Sequence, residues 1–98
     1  HRLPPEQRGQ VFAVSGRDHY VDVQTGQGTA SLLLRFADAV AELNPTAGVQ
    51  VHRSHWVAWD AIVAVEREGV RLFLMLKHGQ RVPVSKNHRE KLEQRGLI

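Results

Sequence analysis

The chain has no cysteine among its 98 residues. That absence removes disulfide cross-links, thiol nucleophiles and cysteine-ligated zinc together. Long apolar runs are missing too. The longest nearly uninterrupted one is LFLML at 72–76, far short of the roughly 20 residues that a membrane-crossing helix needs. No glycine-rich strand-to-helix loop is present to cradle a phosphate, and Ser15, Ser31, Ser54 and Ser85 all lack a nucleophile-elbow context. Nothing resembles a signal peptide, and the first residue is His1 rather than Met. The expectation is a piece of a longer protein, with HRLPPEQRGQ (1–10) as the end of a linker and one domain over residues 11–98.

Six histidines are present, but none stands in an H-E-x-x-H frame. His52 and His55 are three apart, and in a single strand that spacing points them to opposite faces. The rest (His1, His19, His78, His88) fall in turns or near the ends. No metal, no cofactor and no catalytic residue is therefore expected.

Charge is unevenly spread. The formal net charge is +3, yet from residue 67 onward eight Lys/Arg face three acids, while residues 1–66 hold five Arg and seven acids. A basic C-terminal third suits a polyanion partner. A solvated, solubilising face would give the same count.

Hydrophobic periodicity sketches the fold. VFAV (11–14) reads as a strand, SGRDH (15–19) as a turn, and HYVDVQT (19–25) as an alternating strand. GQG (26–28) turns the chain into TASLLL (29–34). In RFADAVAEL (35–43), Phe36, Ala39, Val40 and Leu43 recur at helical spacing, and Asn44-Pro45 ends that helix. Strands return at VQV (49–51), AIVAVER (61–67), VRLFLML (70–76) and QRVPV (80–84), with HG (78–79) as a turn and Pro83 marking an edge or a strand end. SKNHREKLEQRG (85–96) fits a short helix with Ser85 as N-cap and Gly96 just past its end. The predicted class is mostly antiparallel β, with one amphipathic helix and one short C-terminal helix.

Periodicity breaks at GRDH (16–19), HRSH (52–55) and SKNHR (85–89), and each break carries a cation and a histidine. Singly, each is an ordinary solvated loop. Three of them beside a basic end favour nucleic acid, because guanidinium and ammonium groups suit guanine edges and phosphates accept from nearly any donor. Trp56 and Trp59 could stack on bases. The expectation for the pair is nevertheless core packing behind the loop, with Trp56 the more exposed of the two.

The order HYV, hairpin, amphipathic helix, VHRSHWV (51–57) and then G-x-x-V-P-V-S-K (79–86) resembles the LytTR family of bacterial DNA-binding domains over about residues 11–95. The resemblance implies a β-rich fold that binds duplex DNA through loops in successive major grooves, with two copies on promoter direct repeats. It implies base contacts from His19, Arg53 and Lys86, and backbone contacts from Arg17, Tyr20, Ser54, His55, Ser85, Asn87 and Arg89. His52 matches a near-core histidine with a structural role. The remaining implications are an upstream receiver or sensor domain, a homodimer on DNA, no membrane contact by this segment, and a cytoplasmic regulator of transcription in two-component signalling. Departures from the family pattern are Ala58 where Asn is common, His55-Trp56 for an aromatic-aliphatic pair, and Lys86 where Arg is more frequent. Lysine lacks the planar fork, so base preference should differ.

Two other classes stay open at this stage. One is a protein-interaction module using an edge strand near Pro83 and the basic C-terminal face. The other is a single-strand or RNA binder using Trp56 and Trp59.

Overall fold

Alternating apolar residues build eight strands in the computed structural model, which describes residues 11–26, 28–43, 47–77 and 79–98. The linker assigned to 1–10, Gln27, the Asn44-Pro45 helix stop and His78 lie outside the described residues. The strands are β1 (Val11–Arg17), β2 (Tyr20–Thr25), β3 (Gly28–Leu33), β4 (Gly48–His52), β5 (His55–Ala58), β6 (Ile62–Glu68), β7 (Arg71–Leu76) and β8 (Arg81–Val84). Helix α1 (Phe36–Ala41) follows β3, and helix α2 (Glu90–Gln94) follows β8. The predicted mostly antiparallel β class, with one central and one terminal helix, matches this arrangement.

The strands form a five-stranded sheet in the order β3-β2-β1-β5-β4 and a three-stranded sheet in the order β6-β7-β8. All pairings are antiparallel. Because side chains alternate along a strand, the larger sheet supplies two different apolar faces. Val14, Val21, Val23 and Trp56 pack with Ala39, Phe36 and Val40 of α1. Ala13, Val49, Val51 and Val57 pack with Leu72, Leu74 and Leu76 of β7, Val82 and Val84 of β8, and Leu92 of α2. The larger sheet is thus the middle of three layers.

Glycine makes room for two aromatic rings, one within the larger sheet and one from α1. A Cβ at Gly48 would lie 2.3 Å from the Trp56 ring, and one at Gly16 would lie 2.9 Å from Phe36 Cβ. Trp56 consequently fills the space above Gly48 and is only 4% exposed. This corrects the expectation that Trp56 would be the more exposed tryptophan. Trp59, in a 3-10 turn at Trp59–Ala61, is the half-buried one, and Arg95 lies 4.1 Å from its ring centroid.

Several boundaries also differ from expectation. β1 continues to Arg17, so the SGRDH turn contracts to Asp18-His19, with Asp18 at φ 52. Asp tolerates that left-handed conformation better than most residues. The segment 85–96 is two pieces, a 3-10 turn at Lys86–His88 and then α2. Ser85 makes no side-chain cap, since its hydroxyl is bonded to His88 Nδ1 instead. Gly96 does end α2: at φ 76 it donates to the Glu93 carbonyl, and Leu97 donates to the Leu92 carbonyl. That pair of bonds is the Schellman stop. Among the described residues, no helix is long and apolar enough to cross a membrane.

Candidate nucleic-acid interface

HRSH is a hairpin. His52 ends β4, His55 begins β5, and the two pair directly across a turn made by Arg53 and Ser54. The expectation that these histidines point to opposite faces is therefore corrected: their rings meet edge-on at 5.2 Å. Spacing along one strand does not apply when the chain reverses between the residues. Among the described residues, no three His, Asp or Glu side chains gather where they could hold a metal.

A β-bulge sits beside this turn. Gln50 pairs with Trp56 while His52 pairs with His55, which leaves Val51 as the extra residue on β4. Its side chain is fully buried, and its carbonyl accepts from Ser85 N–H at 2.9 Å. The bulge thereby ties the end of β8, and the 3-10 turn after it, to the larger sheet. On the other side, Gly16 N–H donates to the Ser54 carbonyl at 2.8 Å and fastens the end of β1. These two bonds bring the Asp18-His19 turn, the Arg53-Ser54 turn and the Lys86–His88 turn to one end of the molecule. The three periodicity breaks in the sequence converge there.

Backbone and side chains play opposite parts at this end. The Arg53-Ser54 turn is held at Ser54 N–H by His52 Nδ1 (3.3 Å), at the Ser54 carbonyl by Gly16, and at the His52 carbonyl by Gln50 Nε2 (3.1 Å). Ser54 Oγ also lies 3.2 Å from His52 Nδ1, and Ser15 Oγ bonds His55 Nδ1 at 3.1 Å. Arg53, Lys86 and Asn87 are exposed, and none of their side chains hydrogen-bonds or ion-pairs with a described residue. The exposed His19 side chain is likewise unengaged, while its carbonyl accepts from Leu34 N–H at 3.0 Å.

Other candidates named from the sequence are already partnered. Arg17 lies along Asp22 with its nearest contacts at 3.3 Å and stands 5.8 Å from the Tyr20 ring centroid. That guanidinium first, and then the Ser31 hydroxyl at 2.7 Å, hold the Asp22 carboxyl below the usual carboxylate range. Arg89 donates to the Val70 carbonyl at 2.9 Å, which binds α2 to the β6–β7 turn. Burial first, and then the neighbouring His52, lower the basicity of His55.

Sequence reasoning did not single out Ser15, Gly16 or Gln50 as supports of the turn. Nothing in their spacing marks them, because Ser15 opposes His55 only through the β1–β5 pairing across 40 positions. The bulge at Val51 left a visible trace in the failed alternation of VHRSHWVAWD, but not its meaning.

The sequence profile of the LytTr DNA-binding domain family matches residues 6–96. Among solved structures, the fold is similar to the LytTr DNA-binding domain of a protein described as a methyl-accepting/DNA response regulator from Bacillus cereus. The TM-score is 0.76 at 21% identity, covering 87% of this chain and 79% of that one. No curated protein matches the chain. With the profile spanning nearly every described element, the chain belongs to the LytTr family of DNA-binding domains.

Proposed function

We propose that this domain recognises a defined sequence in double-stranded DNA, as the DNA-binding part of a bacterial transcription regulator, without catalysing a reaction. The observation that carries this reading is the convergence of three pinned turns that expose unengaged His19, Arg53 and Lys86 side chains at one end. In the proposed mode these three meet base edges in successive major grooves. Arg53 is suited to the O6/N7 pair of a guanine, while Lys86 offers a point charge without the bidentate fork. Tyr20, Ser54, His55, Ser85 and Asn87 border them and position phosphates, and Arg17 and Arg89 contribute through whatever donors their internal bonds leave over.

Two copies would sit in the same orientation on direct repeats, with an upstream receiver or sensor domain controlling their pairing. The domain would work in the cytoplasm. A single-strand mode finds less support, since Trp56 is buried against Gly48 and Arg95 lies over the Trp59 ring. Strand addition near Pro83 is disfavoured because β8 runs on into Ser85, which is bonded to β4.

The test is a binding selection of the purified domain on randomised duplex DNA. Enrichment of one motif, repeated in the same orientation about a helical turn apart, is the expected result. Binding without enrichment that vanishes at moderate salt would reduce the interaction to generic polyanion attraction and overturn the reading.

A further inference from the structure

The turn that carries Arg53 is supported by an imidazole in one specific protonation state. Ser54 N–H points at His52 Nδ1 at 3.3 Å, and the Ser54 hydroxyl lies 3.2 Å from the same nitrogen; with the proton on Nε2, Nδ1 can accept from both. Arg53 itself contributes nothing to holding the turn, because the anchoring bonds act on Ser54 and on the His52 carbonyl. His52 Nδ1 is the side-chain acceptor among them. The position of the guanidinium relative to a base edge therefore depends on whether Nδ1 can accept.

We propose that His52 is a positioning residue for Arg53, that it acts through its unprotonated Nδ1, and that acidification consequently reduces sequence discrimination by this domain. The proposal rests on the DNA-reading function set out above. With Nδ1 protonated, the Ser54 N–H would face another N–H donor; the ring could then donate only to Ser54 Oγ, 3.2 Å away, and Gly16 would be the one remaining grip on the Ser54 backbone. His55, 5.2 Å from His52 ring to ring, sharpens the effect, because two imidazolium ions at that separation repel.

The surroundings offer little to offset the added charge. Adjoining elements contribute Arg53 in the turn, Arg17 on β1, His19 and Asp18 in the β1–β2 turn, and Lys86 and His88 after β8. Asp18 is the one carboxylate in that set, and Asp22 is already occupied by Arg17 and Ser31. Protonation of the several histidines at this end should at the same time strengthen attraction to any DNA, by adding positive charge against phosphates. Acid therefore moves two quantities in opposite directions: affinity for DNA in general rises, and the ratio between the selected site and a scrambled duplex falls.

The experiment measures that ratio by anisotropy at fixed ionic strength, from about pH 8 down to about pH 5.5. The comparison covers the parent, His52→Asn and His52→Ala. Asparagine places an oxygen near the Nδ1 position and can accept from the amide two residues on, as in an Asx turn, but it does not titrate in this range. For the parent, the ratio is expected to fall about fivefold or more across the range, the lower end of what one bidentate base contact contributes. His52→Asn should hold its ratio at both ends. His52→Ala should show the reduced ratio throughout, with its circular dichroism spectrum confirming the fold.

A parent ratio that is flat with pH would overturn the proposal. So would a fall that persists in His52→Asn, because that would assign the effect to His19 or His88. Absence of any discrimination by the parent at about pH 8 is a different failure, and it would remove the DNA-reading function itself.

Discussion

Two cationic regions of this domain look alike in composition and differ in what their charges are doing. On the outer face of the three-stranded sheet, Arg81 bonds Glu66 at 3.1 Å and Glu68 at 2.6 Å, and its guanidinium lies 3.7 Å from the Phe73 ring centroid. Arg71 approaches the same ring at 5.7 Å. Glu68, and then the more general field of the two carboxylates, hold the Arg81 guanidinium above its usual basicity. At the convergent turns, by contrast, Arg53 and Lys86 project with no partner among the described residues, while the backbone beneath them is tied down. Engaged cations screen an apolar strand surface. Unengaged cations on a rigid support can meet a ligand at little cost in reorganisation.

The largest expected effect lies in the layer both regions share. Leu74→Ala should destabilise the fold by about 2–5 kcal/mol, since Leu74 is fully buried in the core between the two sheets. Chemical denaturation reads this directly, and a smaller loss would mean that the two sheets can collapse onto a cavity.

The comparison itself is sharpened by replacing one arginine from each region. Arg53→Ala should weaken binding to the selected duplex by about 1–3 kcal/mol and relax preference at one base pair. Arg81→Ala should leave affinity and its salt dependence unchanged, because that guanidinium is committed to Glu66 and Glu68. Equal losses for the two variants would dissolve the distinction between the regions.

A smaller effect concerns pH and stability. His55 is less basic in the fold than in the unfolded chain, whose value is near 6.5. The unfolded state therefore takes up its proton first as pH falls. Stability from this group is fully present above about pH 6.5, declines as pH drops through that value, and levels off below the folded-state value. Denaturation midpoints across this window should shift less in His55→Gln than in the parent, and identical pH profiles would remove His55 as the source.

Much of this organisation could be read in the sequence, and the reasons for the rest are specific. Alternation located the strands because one face of each is buried, as in YVDVQT and RLFLML. Helical spacing found α1 through Phe36, Ala39 and Val40. The three loops were visible as places where periodicity failed and cations clustered. What could not be read was pairing. Only the β4–β5 hairpin brings His52 opposite His55, and only the adjoining bulge frees Val51 to receive Ser85. The burial of Trp56 is hidden from the sequence for a related reason: its cavity is made by Gly48, which stands eight positions away but on the neighbouring strand.

Binding of Arg53→Ala to the parent's own selected duplex, titrated beside the parent over a salt series, tests the central claim most directly. The expected result is a loss of about fivefold or more on that site, with little change on scrambled DNA. An Arg53→Ala domain that binds the selected site as tightly as the parent would contradict it.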